Sequence, residues 1–423
     1  MNRWREKTME KVYDICCGVD VHKKLIVACL RSGKKNEIRQ FGATTRELLE
    51  MATWLDEVKC EMVAMESTAS YWKPLYNVLE TWELPVMVVN AHHMKAVPGR
   101  KTDVQDAEWI ADLLQHGLLK ASYIPNKEQR ELRELVQYRK SLIEDRGREL
   151  NRLQKMLEGG NIKLSGTVTQ INGKSARNIL NFITDGGYFD DAKYDEMLAN
   201  KEISHNLKAS KEQIIDDLNG VLSPIQRRVM KELLSHLDEL NEHIRNLDDD
   251  IDRFMKPEDR DAAQVIQEIP GIGANSAQVI ISVIGNDMSR FPSDRHISKW
   301  AGLCPGNNES ASKRKSGKTT KGNKMLRTTL VNCAHSAVKV KTSYFSALFA
   351  RISAHRGKKR AYVAVAHAML IAIYHILHDG VGFRDLGADY YNQFNRERKA
   401  NGMLKKLKAL GYEVTIAAVP VTA

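Results

Sequence analysis

Four acidic residues have the types and positions needed to bind divalent metal. Asp20 closes the first apolar run of the chain, and Glu66 closes the run that follows the first predicted helix. Asp103 and Asp106 are three residues apart at the start of another predicted helix, so both can occupy one face. Clustered carboxylates repel one another unless a cation lies between them. Their oxygens suit Mg²⁺ (or Mn²⁺), and two ions about 3.5–4 Å apart would promote phosphoryl transfer.

Each acid alone has an ordinary explanation. Asp103 could cap a helix, Asp20 could belong to a turn, and Glu66 could be a surface carboxylate. The joint order favours a site: an acid ends the first strand, another ends the fourth, and a DxxD pair begins a helix.

The elements around these acids predict an α/β domain over residues 12–120. Three short strands follow one another up to residue 41, with turns at residues 22–23 and 33–34. The remaining elements are a helix over 44–58, a strand over 62–65, a helix over 71–82, a strand over 85–89 and a helix over 104–119. Ends of neighbouring strands lie close together in such a sheet, which would gather the acids.

A glycine turn marks the C-terminal part of the chain. The sequence Ile269-Pro270-Gly271-Ile272-Gly273 precedes an apolar helical stretch. It resembles a helix-hairpin-helix element, in which glycines let a phosphate approach the start of a helix. The alternative is a plain turn between two helices.

A basic segment follows this turn. From Lys313 to Arg327 the chain has seven basic residues and no acid. These are Lys313, Arg314, Lys315, Lys318, Lys321, Lys324 and Arg327. The protein carries a net charge of +11, and residues 301–423, with 21 Lys+Arg and 6 Asp+Glu, contribute +15 of it. Glycines and serines surround the charge, which favours a loop that binds a nucleic-acid backbone over a merely solvated surface.

Two amphipathic stretches, residues 127–160 and 226–254, predict long helices that could pair as an antiparallel arm or coiled coil. We therefore expect three parts: a metal domain over 1–125, a helical oligomerisation arm over 126–260, and a mostly helical C-terminal domain over 261–423. The longest apolar run, residues 363–377, is shorter than the ~18 residues of a membrane span. The six cysteines form no CxxC pair, which indicates small buried side chains. We expect a cytoplasmic, nucleoid-associated protein of a bacterium or archaeon, without a membrane partner.

The motifs Gly18-Val19-Asp20-Val21-His22-Lys23, Met65-Glu66-Ser67-Thr68 and Lys101-Thr102-Asp103-Val104-Gln105-Asp106-Ala107 resemble the N-terminal domain of DEDD-type insertion-sequence transposases. Piv-type DNA invertases belong to the same group. The resemblance implies a RuvC-like domain of the ribonuclease-H type, in which Asp20, Glu66, Asp103 and Asp106 bind the metal.

The segment from Ala301 to Arg327 resembles the C-terminal domain of the same transposases. In that family a serine joins covalently to DNA, and the matching residue is Ser310, with Ser312 and Ser316 as less favoured candidates. The resemblance further implies a dimer to tetramer in which the acids and the serine of different protomers combine. It also implies donor and target DNA as partners, and a structured bridge RNA that guides the choice of site.

Two other functions fit parts of the sequence. One is a RuvC-like junction nuclease in which Ser310 is not a nucleophile. The other is a non-catalytic nucleic-acid-binding scaffold with structural acids. The transposase hypothesis accounts for both the acids and the serine segment.

Overall fold

A computed structural model of the protein describes residues 11–33, 35–67, 69–90, 103–306, 308–310, 313–316, 319–391 and 396–413. The side chains of residues 103, 308–310, 313–316 and 396–399 lie outside this description. The chain forms two compact units, Met1–Asn126 and Lys127–Ala423.

The first unit is built on a five-stranded mixed sheet with the strand order β3-β2-β1-β4-β5. Its strands are β1 (Ile15–Val21), β2 (Leu25–Ser32), β3 (Lys35–Gly42), β4 (Met62–Glu66) and β5 (Val86–Val89). Strands β1, β2 and β3 form an antiparallel meander, whereas β4 pairs in parallel with both β1 and β5. This order and these directions are consistent with the expected ribonuclease-H-type domain.

Helices cover both faces of this sheet. Helices α1 (Thr45–Glu57) and α2 (Trp72–Thr81) pack on the face that carries Val19 and Met65, and α3 (Asp103–Gln115) packs on the other. Because side chains alternate along a strand, Cys16 and Ala64 belong to the α3 face. The described elements occur in the order that the sequence predicted.

The second unit begins with two long helices, α4 (Lys127–Gly159) and α9 (Pro224–Phe254). Arg139 in the first half of α4 lies 2.6 Å from Asp248 in the second half of α9, and Glu149 later in α4 lies 3.6 Å from His236 earlier in α9. The two helices therefore run in opposite directions. The predicted antiparallel pairing of the two helices is confirmed. Coiled-coil packing between them stays a prediction.

Four short helices between these two, in a region without a clear sequence pattern, cover the far end of the arm. They are α5 (Leu164–Thr167), α6 (Lys174–Thr184), α7 (Asp191–Ala199) and α8 (Lys211–Leu218). Their apolar side chains share a core with Leu153 and Leu157 of α4 and with Leu234 and Leu237 of α9.

The rest of the second unit is mostly helical. Its elements are α10 (Pro257–Ile266), α11 (Ala274–Ile284), α12 (Asp294–Trp300), β6 (Asn308–Ser310), β7 (Lys313–Ser316), α13 (Lys324–Ala337), α14 (Tyr344–Arg356), α15 (Lys358–Asp379) and α16 (Arg396–Ala409). Leu132 and Val136 of the arm lie in the same core as these helices. The three-part division at residues 125 and 260 stays a prediction.

Helix α15 is long and apolar enough, by length and composition alone, to cross a membrane. Val365, Met369 and Ile373, spaced four residues apart, are fully buried in the core of the second unit. Its apolar composition is therefore explained by its place at the centre of a helical core.

The six cysteines are free thiols, and all except the half-buried Cys304 are buried. Burial raises the pKa of Cys16 and of Cys29 to about 11, and that of Cys60 to about 12. These thiols therefore stay protonated and pack as small apolar groups, as the sequence predicted.

Candidate metal centre and basic hairpin

Asp20 and Glu66 are neighbours on adjacent parallel strands. Val19 of β1 pairs in register with Met65 of β4, and Asp20 and Glu66 are the next residues on their own strands. Residues at the same level of parallel strands point to the same face, and the strands are about 4.8 Å apart. Asp20 is only 6% exposed, and Glu66 is half-buried. Two carboxylates thus share one edge of the sheet, on the α3 face.

Gly18 brings α3 directly onto β1 beside these acids. A methyl group on Gly18 would lie 2.2 Å from the backbone nitrogen of Ala111 and 2.5 Å from the carbonyl oxygen of Ala107. Only glycine allows the helix and strand backbones to approach so closely. Gly18 lies two residues before Asp20, on the same face of the strand.

Helix α3 runs antiparallel to β1, so its first residue lies at the edge of the sheet that carries Asp20 and Glu66, which we call the acidic edge. The Val12 amide donates to the carbonyl of Gln115 at 2.8 Å, and the Cys16 thiol lies 3.8 Å from the carbonyl oxygen of Ala111. Residues later in β1 therefore contact residues earlier in α3. Asp103 begins the helix one turn before Ala107, and the exposed Asp106 follows three residues later.

The fourth member of the predicted set can be placed only by its backbone, because the side chain of Asp103 lies outside the described residues. Among the side chains that the structure describes, no group of three or more histidines, cysteines or acids is close enough to bind a metal ion. The structure therefore brings together Asp20 and Glu66, and it directs the start of α3 toward their edge of the sheet. The metal assignment stays a prediction.

His22 is a contact of this site that the sequence interpretation did not single out. Its Nε2 atom lies 3.0 Å from Oδ2 of Asp20, and its side chain is 46% exposed. A histidine two residues after the acid, just past the strand end, was the available signal. This contact engages one carboxylate oxygen of Asp20.

Ser310 lies in a two-stranded hairpin, where the sequence predicted a loop. Strands β6 and β7 pair antiparallel, with Ser310 opposite Lys313 and Glu309 opposite Arg314. The segment lacks the apolar alternation that marks a strand, so its backbone pairing could not be recognised from side-chain types. Ser310 is thus the last residue of β6, and its backbone pairs with that of Lys313. Ser312 lies outside the described residues, and Ser316 ends β7.

Two glycines fix the base of this hairpin, and the sequence interpretation missed them. A methyl group on Gly322 would lie 2.2 Å from the backbone nitrogen of Gly302, and one on Gly302 would lie 2.6 Å from the nitrogen of Gly322. Gly302 also has a positive φ of 71°. A backbone contact therefore joins the chain just before the hairpin to the chain just after it. The signal in the sequence was one glycine on each side of the hairpin.

The basic residues that follow the hairpin lie at the start of α13. Asn323 caps this helix by accepting a hydrogen bond from the Leu326 amide at 3.0 Å. Lys321 and Lys324 are exposed, and Arg327 is half-buried. The remaining predicted contacts, Lys313, Arg314, Lys315 and Lys318, have side chains outside the described residues.

The two glycines of the PGIG turn have different surroundings. A methyl group on Gly271, whose φ is 88°, would lie 2.5 Å from the carbonyl oxygen of Cys333 in α13. This close approach is to protein backbone, which gives Gly271 a packing role. Gly273 is exposed, nothing lies within 4 Å of its added carbon, and it precedes the first residue of α11. Phosphate binding at this turn stays a prediction, and the geometry favours Gly273 for it.

Two family models match the chain in separate segments. Residues 17–162 match the model of DEDD transposases of the IS110 type, described as a transposase. Residues 263–350 match the model described as transposase of the IS116/IS110/IS902 family. No match among curated proteins is found. The first segment contains the acidic edge and the second contains the glycine turn and the serine hairpin, and together they span more than half of the chain. The chain therefore belongs to the IS110 family of transposases, which cut and rejoin DNA.

Proposed function

We propose that this transposase exchanges DNA strands through a covalent bond between Ser310 and DNA, and that Asp20, Glu66, Asp103 and Asp106 bind the metal that the reaction needs. The observation that carries the proposal is the position of Asp20 and Glu66. They lie side by side on parallel strands, under a helix that begins at Asp103.

The donor set fits a divalent metal. Carboxylate oxygens are the ligands that Mg²⁺ and Mn²⁺ prefer, and a cation bound between two adjacent carboxylates would relieve the repulsion between them. Asp20 and Glu66 would hold the ion from the sheet, and Asp103 and Asp106 from the helix. When bound, the ion would stabilise negative charge on the transferring phosphate.

Ser310 supplies the proposed nucleophile. Its Oγ forms a bond to the scissile phosphorus while the bond between phosphorus and one sugar oxygen breaks. The sugar leaves as a hydroxyl, with a proton replacing the one that the serine loses. Rejoining repeats the exchange with the hydroxyl of another strand and releases Ser310. The number of phosphodiester bonds is conserved, so no external energy source is required.

The basic residues around Ser310 would hold the strand during this exchange. Lys313 occupies the position opposite Ser310 in the hairpin, and Lys321, Lys324 and Arg327 follow its second strand. Their charges would neutralise phosphates and stabilise the charge that develops on phosphorus.

Partners beyond DNA follow from the family resemblance. We propose that a structured bridge RNA pairs with donor and target DNA and sets the site, while the protein binds backbone and shape. Acids and serines of different protomers would act together, which requires a dimer or a tetramer. Sequencing of the nucleic acid that co-purifies with the full-length protein tests the first claim: a defined structured RNA supports it, and random cellular RNA contradicts it.

A covalent trap tests the mechanism. The full-length protein, with its co-purified nucleic acid and Mg²⁺, is incubated with labelled DNA carrying the ends of the element that encodes it. Mass spectrometry should find a phosphorylated Ser310 peptide. Ser310→Ala should lose both the adduct and strand joining, and the matched variant Ser312→Ala should retain them. Asp20→Asn should lose joining but still bind DNA.

The other outcomes are equally informative. If Ser310→Ala still cuts and rejoins DNA, the serine mechanism is wrong. If it cuts without rejoining and Asp20→Asn does not cut, the protein is a metal nuclease. If neither the wild type nor any variant cuts or rejoins DNA, and Mg²⁺ shows no saturable binding, the acids are structural. That result would support the scaffold hypothesis.

A further inference from the structure

A second basic surface lies in the Lys127–Ala423 unit, beyond the hairpin in sequence. From Ser310 to His378 the chain has fourteen lysines and arginines and no aspartate or glutamate. Seven of these precede or begin α13, and the other seven follow it. Lys339, Lys341 and Lys358, from the second group, line one open groove of about 610 Å³.

The groove has basic walls and an apolar floor. All three lysines are exposed. The floor consists of Val338 from the end of α13, together with Phe349, Ala350 and Ala354 from α14. The remaining lining residues are Ser346 and Ser353, so no described acid lines the groove.

Aromatic rings continue from this floor toward solvent. The ring of Phe349 lies 4.6 Å from that of Tyr362, and Tyr362 stacks on His335 at 3.5 Å. His335 is exposed and precedes Val338 by one helical turn of α13. The rings of Phe349, Tyr362 and His335 therefore adjoin the lysines of the groove.

Further exposed charge lies beside Lys358 in the chain. Arg356, Lys358, Lys359 and Arg360 are four exposed basic residues at the corner between α14 and α15. A row of lysines alone is usually a solvated surface. A row that borders an apolar and aromatic floor, without acids, has the composition of a surface for single-stranded nucleic acid.

We propose that the groove between Lys339, Lys341 and Lys358 binds a segment of unpaired nucleotides. The lysines would contact successive phosphates, and a base would stack on the ring of Phe349. A duplex buries its base faces, so it could use the lysines but not the floor. This inference rests on the proposed function, because it requires that the protein binds nucleic acid. It adds a binding surface to the one proposed around Ser310.

Binding measurements on the full-length protein test the proposal, after co-purifying nucleic acid has been removed in high salt. The probes are a 20-nucleotide single-stranded RNA, a single-stranded DNA of the same length and a 20-base-pair DNA duplex, each titrated over a range of salt. The test variant combines Lys339→Gln, Lys341→Gln and Lys358→Gln. The matched control changes three exposed lysines of the arm and its tip, Lys155, Lys174 and Lys201, to glutamine.

The test variant should lose about tenfold or more in affinity for single strands, and its slope of log affinity against log salt should fall by about 2, since each phosphate contact contributes about 0.7. The control should match the wild type. Phe349→Leu, which keeps an apolar side chain but removes the ring, should lower single-strand affinity by about tenfold and leave the salt slope unchanged. The RNA and DNA arms show which strand the groove prefers.

Two results overturn the proposal. One is a test variant that binds single strands like the wild type. The other is an equal loss for single strands and duplex with no effect of Phe349→Leu, which would make the surface generally basic. The Ser310 adduct is measured separately, in the wild-type protein. A test variant that keeps single-strand affinity while the adduct forms refutes the groove alone, and a missing adduct refutes the mechanism alone.

Discussion

Gly18→Ala tests whether the contact between β1 and α3 positions the acidic site. The added methyl group would meet three backbone atoms of α3, at 2.2, 2.5 and 2.8 Å. Backbone atoms inside a helix cannot rotate away as a side chain can. The helix must therefore move from the sheet, and Asp103 and Asp106 must move with it.

The expected size of the effect follows from these distances. Ordinary contacts between non-bonded heavy atoms are about 3.5 Å long, so a separation of 2.2 Å from the nitrogen of Ala111 requires a displacement of roughly 1 Å or more. Overpacking of this kind costs about 1–3 kcal/mol in the free energy of unfolding. A catalytic group displaced by about 1 Å can lower the rate by about 10²-fold. A domain with a typical stability of about 5–15 kcal/mol stays folded after such a loss, so cleavage should fall while the protein remains folded.

Three measurements on the full-length protein check this prediction. Peptides covering residues 103–115 should exchange amide hydrogens faster, whereas peptides covering residues 224–254 should not change. The Mg²⁺ concentration required for DNA cleavage should rise, and cleavage at saturating Mg²⁺ should fall. The control is Gly147→Ala in α4, where nothing lies within 4 Å of the added carbon, and it should stabilise the helix by about 0.5–1 kcal/mol. Wild-type exchange and cleavage in Gly18→Ala would refute the positioning argument.

Three further predictions concern other parts of the fold. Asp248→Ala should destabilise the protein by about 1–3 kcal/mol in urea unfolding, and by more than Arg139→Met, because the 1% exposed guanidinium of Arg139 loses its carboxylate and keeps only the oxygens of Gln278 and Asn275 as acceptors; an equal or smaller loss would contradict this. Gly302→Ala should abolish strand joining, whereas Gly380→Ala, which shares a positive φ but has nothing within 4 Å, should reduce stability alone. Burial raises the pKa of the Cys16 thiol from 9.0 to about 11, so the contribution of this thiol to the free energy of unfolding is fully present below pH 9 and is lost as the pH rises through 11. In urea unfolding, Cys16→Ala should reduce this loss of stability at high pH.

The order of elements in the first unit could be predicted because its strands are apolar runs separated by turn residues. The partner of each strand could not. Val63 and Ala64 of β4 are compatible with several neighbours, and only the folded chain shows that β4 lies between β1 and β5. The acidic edge depends on that pairing. The sequence therefore predicted the acids, but not which two would be adjacent.

Contacts between distant backbones were also beyond the sequence. Gly18 meets a helix that begins about 85 residues later, and Gly302 meets Gly322 across the hairpin segment. A glycine in a strand or before a basic segment has several possible reasons, and its partner decides among them. The hairpin itself is held by backbone pairing, so its serines and lysines carry no strand pattern.

The proposed acids and the proposed nucleophile rest on supports with different properties. Asp20 is held inside a sheet with helices on both faces, where a small displacement of a ligand weakens metal binding. Ser310 is held at the end of a two-stranded hairpin, whose base is fixed by Gly302 and Gly322. Under the proposed mechanism Ser310 carries a covalent DNA strand through an exchange, so it must move with that strand. A backbone hairpin whose two ends are joined through Gly302 and Gly322 holds Ser310 by its backbone, without requiring bulky core residues.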